Sequence, residues 1–142
     1  MYHSFEKFSY NLKDLLLLFT RVIIGYMYLL HGTTKLFAMP AAMAGDKGAV
    51  ELFSMMGVGG VLELVGGALL IIGLFTRFNA FIQAGMMAVA YFFYHAFPAG
   101  IDLLLLPSAN RGENAVVYCM IFLLFWALGA GKYSLDAKFS KY

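Results

Sequence analysis

Arg21, His31 and Lys35 are three basic residues inside one apolar run, and Glu63 is a lone acid inside another. A charged side chain at mid-membrane costs about 2.5–3.5 kcal/mol on insertion scales, so each needs a partner or a task. The chemistry open to such a set is narrow. A carboxylate beside a histidine and an ammonium group can take and give protons, and the same groups offer acceptors and donors to a small polar ligand. At 100° per residue, Lys35 lies about 40° from Arg21 around a helix and His31 about 80° from it, on the same side. Gly25, Tyr28 and Gly32 share that stripe. Glu63 has Gly59 and Gly67 one turn away on either side, with Gly60 and Gly66 beside them. Small residues let helix backbones approach closely, so the two stripes are expected to face each other with Glu63 opposite a basic group.

Depth sharpens that pairing. With the first helix centred near Tyr26, His31 sits roughly 7 Å toward one membrane face at 1.5 Å per residue. With the second centred near Gly67 and running back, Glu63 sits roughly 6 Å toward the same face. Lys35 is one turn further out. Tyr91 and His95 near the end of a third run, and Asn110, Arg111 and Glu113 before a fourth, belong to that half as well. His31, Lys35, Glu63, Tyr91, His95, Asn110, Arg111 and Glu113 are therefore the candidate ligand-binding residues; no catalytic residue is assigned.

The elements that must position these residues are membrane helices. Of 142 residues, 62% are apolar and 13% charged, against roughly 45–50% and 25% in soluble domains. That composition excludes a soluble enzyme, a disordered chain and a nucleic-acid binder. The one cysteine, Cys119, allows no intrachain disulfide and reads as a small hydrophobe. No signal peptide is expected, because the first apolar run exceeds an h-region and lacks a small-residue cleavage site. A crossing helix needs about 20 apolar residues, which predicts an all-α integral membrane four-helix bundle with helices about 15–37, 58–75, 78–97 and 113–129. The whole chain, 1–142, is then one membrane domain, with interfacial tails at 1–14 and 132–142. No heptad pattern and no strong internal repeat is evident. Lys7, Lys13, Arg77, Lys132, Lys138 and Lys141 fall on one side, against Lys35, Lys47 and Arg111 on the other. The positive-inside rule then places both termini in the cytoplasm. Residues 49–56 are expected to form a short helix on the outer interface, and the leucine run 103–106 to dip into it.

Every candidate also has a plain structural reading. Glu63 can be a counter-ion to the first helix, and His31 a satisfied bundle histidine. Lys35 and His95 can snorkel at helix ends. Arg21 and Arg77 read as structural or topology residues. Asn110-x-x-Glu113 before an apolar run reads as a capping box with Asn110 as the cap, which leaves Arg111 unexplained. His31 and His95 are also the types that clamp a haem, but Glu63 and Lys35 beside them argue against it; no metal site is expected.

These motifs together resemble the DoxX family of small four-helix bacterial membrane proteins. The resemblance rests on Arg21 with Gly25, on His31-Gly32-x-x-Lys35, and on Glu63-Leu64-Val65-Gly66-Gly67. It continues through Gly73-Leu74-Phe75-Thr76-Arg77, His95, Asn110-Arg111-Gly112-Glu113 and Gly131-Lys132-Tyr133-Ser134-Leu135-Asp136, so it covers about residues 15–136. It implies a multi-pass protein of the bacterial inner membrane, linked to thiosulfate:quinone oxidoreductase and to membrane oxidoreductase complexes. The expected function is a membrane subunit whose outward-half polar pocket binds a quinone or another small ligand. No intrinsic cofactor is expected. The bilayer, a redox partner protein and further copies of the chain are the expected partners. The alternatives are a small-solute or lipid transporter with Glu63 as protonatable switch, and an accessory subunit in which the charges merely pair.

Overall fold

The computed structural model describes residues 2–42 and 48–140, which are all-helical with no strand among them. Lys47 and Lys141, counted above for orientation, lie outside the described residues. Helix α1 is Tyr2–Phe37 and α2 is Met55–Ile72. Helix α3 runs Thr76–Ala99, α4 is Glu113–Leu128, and a short α5 is Leu135–Phe139. The first three are long and apolar enough to cross a membrane. Helix α4 has 16 residues and reaches only about 24 Å at 1.5 Å per residue, the shortest of the expected spans.

Two elements differ from the sequence expectation. Helix α1 starts at Tyr2, so the expected tail and first span are one unbroken helix. No proline or glycine interrupts residues 2–24, and a His3–Glu6 pair at 3.3 Å supports the first turns. The expected helix over 49–56 is absent. Leu52 and Phe53 form a turn, and Ser54 accepts the Gly57 amide at 3.0 Å as the N-cap of α2. A capping serine starts a helix rather than continuing one, because its side chain takes an amide that has no partner in the first turn.

The chain divides into two compact units, Met1–Thr76 with Ala130–Tyr142, and Arg77–Gly129. In the first unit, α1 packs on α2 through glycines at backbone distance. A Cβ on Gly25 would lie 2.9 Å from the Gly67 carbonyl oxygen, and one on Gly32 would lie 2.7 Å from that of Gly60. Only a residue without a Cβ permits this approach, which is what holds Lys35 against α2. In the second unit, α3 carries one π turn at Tyr91–Ala96, where the Phe97 amide reaches back to Phe92. Tyr91, Ala96 and Ala115 form a small buried cluster there with Leu104 and Val116.

Candidate functional site

Helix α1 carries its basic residues toward α2 at two places. At one level, Lys35 Nζ donates to Glu63 Oε1 at 2.6 Å. The Glu63 side chain is 4% exposed and that of Lys35 13%. His31 acts electrostatically on the same carboxylate. The depth argument favoured His31 over Lys35, which sits a turn further out. Side chains on a helix tilt toward its N-terminus, so the long Lys35 stem leans back by about one turn and delivers its ammonium to the level of Glu63. His31 is at the edge of the stripe and is exposed. The second carboxylate oxygen, Glu63 Oε2, is buried and accepts no hydrogen bond.

At the other level, Arg21 is 1% exposed. Its guanidinium donates to the Leu70 carbonyl at 3.1 Å and to the Tyr133 carbonyl at 2.6 Å. Gly73 ends α2 in a left-handed conformation (φ 68°), its amide reaching Leu69 and Leu70. A Cβ there would collide with the Arg21 guanidinium and stand 2.6 Å from Ser134 Cβ, so glycine is required twice over. Asp136 closes the knot. Its two oxygens take the Phe75 and Thr76 amides at 2.7 and 2.8 Å, and its own amide donates to the Gly73 carbonyl at 2.9 Å. Ser134 caps α5 by accepting the Ala137 amide. The motif segments around residues 73–77 and 131–136 thus meet on Arg21, in one structural joint.

The remaining candidates lie in the second unit. Tyr91 Oη donates to the Leu104 carbonyl at 2.7 Å. Asn110 Nδ2 donates to Tyr91 Oη at 3.2 Å and to the Leu103 carbonyl at 3.0 Å. Asn110 Oδ1 accepts the Gly112 amide at 2.9 Å. The capping-box reading of Asn110 and Glu113 is therefore corrected: the residue before α4 is Gly112, with no side-chain cap. Asn110 turns back to pin the leucine-run loop onto the π turn, because a buried amide must satisfy both its donor and its acceptor. Arg111 and Glu113 are exposed and His95 is half-buried. Arg111 holds a left-handed backbone, φ 63°. Arg77 donates to the Trp126 and Ala127 carbonyls at 2.5 and 2.6 Å, a cation on the last carbonyls of α4 where the helix dipole favours one.

Five of the eight ligand-binding candidates thus fall into two groups, Lys35 and Glu63 with His31 in the first unit and Tyr91 with Asn110 in the second, and His95, Arg111 and Glu113 join neither. The sequence reading missed two buried polar residues, Asn79 and Gln83. Gln83 Nε2 donates to Asn79 Oδ1 at 3.1 Å. The i, i+4 spacing of Asn79 and Gln83 in an otherwise apolar helix was the available signal.

Comparison with known proteins adds two findings. The sequence profile of the DoxX family matches residues 16–96. An uncharacterized protein of Haemophilus influenzae is 50% identical over 125 residues, covering 88% of this chain and 91% of that protein. No solved structure matches.

Proposed function

The chain belongs to the DoxX family of membrane proteins, and on that premise we propose that its Lys35–Glu63 pair is a ligand-binding site in the outward half of the bacterial inner membrane, with both termini cytoplasmic. The observation that carries this reading is Glu63 Oε2, a buried carboxylate oxygen with no hydrogen-bond donor. A carboxylate kept only as a counter-ion is expected to have both oxygens satisfied, because a buried acceptor without a donor costs about 1–3 kcal/mol. Here one oxygen holds Lys35 and the other is open to a donor. The Lys35 ammonium has three N–H donors, of which Glu63 takes one.

A site with one open acceptor beside spare donors suits a ligand that carries a carbonyl and a hydroxyl in reach of each other or that exchanges one for the other. A quinone is such a ligand: its carbonyl accepts from Lys35, and its reduced form donates to Glu63. Bound there, a quinone would supply two-electron redox chemistry. The chain's own residues bind it, orient it and hold a proton at Glu63, with His31 biasing the charge on that carboxylate. The site residues include no electron carrier, so a partner redox protein supplies the electrons, and the chain serves as the membrane subunit of an oxidoreductase system.

The test is thermal stability of the purified protein in detergent with and without a short-chain ubiquinone analogue. The analogue is expected to raise the melting temperature of the native chain. Glu63→Gln is expected to fold and to lose the shift, and adding Lys35→Met should not bring it back. If the single variant is strongly destabilised and the double variant recovers both stability and shift, Glu63 is a counter-ion and the proposal fails.

A further inference from the structure

Residues 3–11 of α1 are all exposed, among them Phe5 at 69% and Phe8 at 60%. The part of α1 held by the rest of its unit begins at Asp14, whose Oδ1 accepts the Lys132 amide at 3.1 Å. A helix of 36 residues is about 54 Å long, against about 30 Å of hydrocarbon. Lys13 and Asp14, just before the apolar run, put the excess at the N-terminal end. Phe8 and Phe5 then stand about 10 and 15 Å beyond Leu15 along the axis, past a headgroup layer of roughly 5–8 Å. The helix does not turn at the membrane, so a lipid surface does not reach these rings.

Their spacing says what does. Phe5, Phe8, Leu12, Leu15 and Phe19 follow alternating steps of three and four residues. At 100° per residue they fall within an arc of about 80°, the a and d positions of a coiled coil. The repeat crosses the boundary between the expected tail and the expected first span, which α1 joins in one helix. The acidic and basic residues of the stretch, His3, Glu6, Lys7, Lys13 and Asp14, all fall at b, c or f. The flanking e and g positions hold Ser4, Ser9, Asn11, Leu16 and Leu18. A seam without charge at a, d, e or g meets no like-charge repulsion when it pairs with itself.

We propose that this stripe is the seam of a parallel two-stranded coiled coil with a second copy of the chain. Two copies inserted with one topology are already parallel and level with each other. Two heptads are marginal for free peptides, but confinement to one membrane raises the effective concentration that short coils need. The pairing leaves the Lys35–Glu63 site untouched and stands independently of what that site binds.

Disulfide trapping in native membranes tests the seam, with the full chain in a Cys119→Ser background. Phe8→Cys and Leu15→Cys are expected to give a disulfide-linked dimer on oxidation, and Tyr10→Cys, at an f position, to lose it. In a Leu15→Cys chain, adding Phe5→Lys and Phe8→Lys should abolish the dimer. Equal linkage at seam and f positions, linkage nowhere, or a dimer that survives the two lysines overturns the proposal. Absence of linkage at the seam is also the result expected if lipid covers the stripe.

Discussion

Arg21 and Lys35 are cations on one face of one helix, and both reach α2, yet the chain treats them oppositely. Arg21 is spent on backbone carbonyls, at Leu70 and Tyr133, in a joint where a glycine and an aspartate are shaped around it. Lys35 meets a single carboxylate oxygen and leaves the other open. The difference separates structure from function better than burial does. A buried charge whose partners are main-chain atoms from two segments is committed to holding those segments. Arg21 Nε and Glu63 Oε2 are both buried without a partner, but the arginine is anchored through its other two nitrogens, whereas the proposed ligand donor has the free carboxylate oxygen of Glu63 to meet.

The largest effect expected from this contrast is at Arg21. Arg21→Ala removes donors from the Leu70 and Tyr133 carbonyls and leaves Asp136 without its nearby cation, and breaking such a set typically costs about 3–5 kcal/mol. Urea or thermal unfolding in detergent should show that loss, while Glu63→Gln is expected to cost less, because Gln keeps a carbonyl acceptor for the Lys35 ammonium. Similar losses for the two variants would erase the distinction, since both cations would then be structural. Lysine at position 21 is not expected to rescue, because one ammonium cannot reproduce the two-armed guanidinium geometry.

The next effect sits at the far side of the same joint. Asp136 accepts the Phe75 and Thr76 amides, one on each oxygen. Hydrogen bonds to a charged acceptor are worth about 1.5–3 kcal/mol each, so Asp136→Ala is expected to cost about 2–4 kcal/mol. Asp136→Asn keeps one acceptor oxygen and should cost roughly half as much. Hydrogen exchange should show the change at Phe75 and Thr76 first. If those amides keep their protection in Asp136→Ala, the C-terminal segment does not hold the joint.

How much of this was legible in the sequence follows the same division. Helix positions, the glycine stripe and the pairing of Glu63 with a cation on α1 were legible, because apolar runs and small-residue spacing are local signals. The choice of Lys35 over His31 was not, because it depends on the tilt of a long side chain rather than on axial position. The Arg21 joint was visible only as motif residues. Nothing in residues 131–136 says that they return 112 positions to meet Arg21. Asn110 was misread for the opposite reason: a strong local pattern, Asn-x-x-Glu before an apolar run, was overridden by a buried amide whose donors needed Tyr91 and Leu103.

The second unit repeats the contrast in adjacent residues, and here the smallest effect is the most informative. Asn110 is buried with donor and acceptor both filled. Arg111 beside it is exposed and carries a left-handed backbone that arginine does not favour. Asn110→Ala is expected to cost about 2 kcal/mol by removing three side-chain hydrogen bonds, to Tyr91 Oη, to the Leu103 carbonyl and from the Gly112 amide. Arg111→Ala keeps the same backbone requirement and removes only an exposed side chain, so stability should stay within about 0.5 kcal/mol. An anionic lipid headgroup is the species such a guanidinium would meet at a membrane surface. Flotation with vesicles does not read this in a protein already inserted. Retention of co-purified anionic lipid, measured by mass spectrometry for the native chain and Arg111→Ala at matched stability, does. Equal retention, or a stability loss matching that of Asn110→Ala, would show that Arg111 serves the fold rather than a lipid.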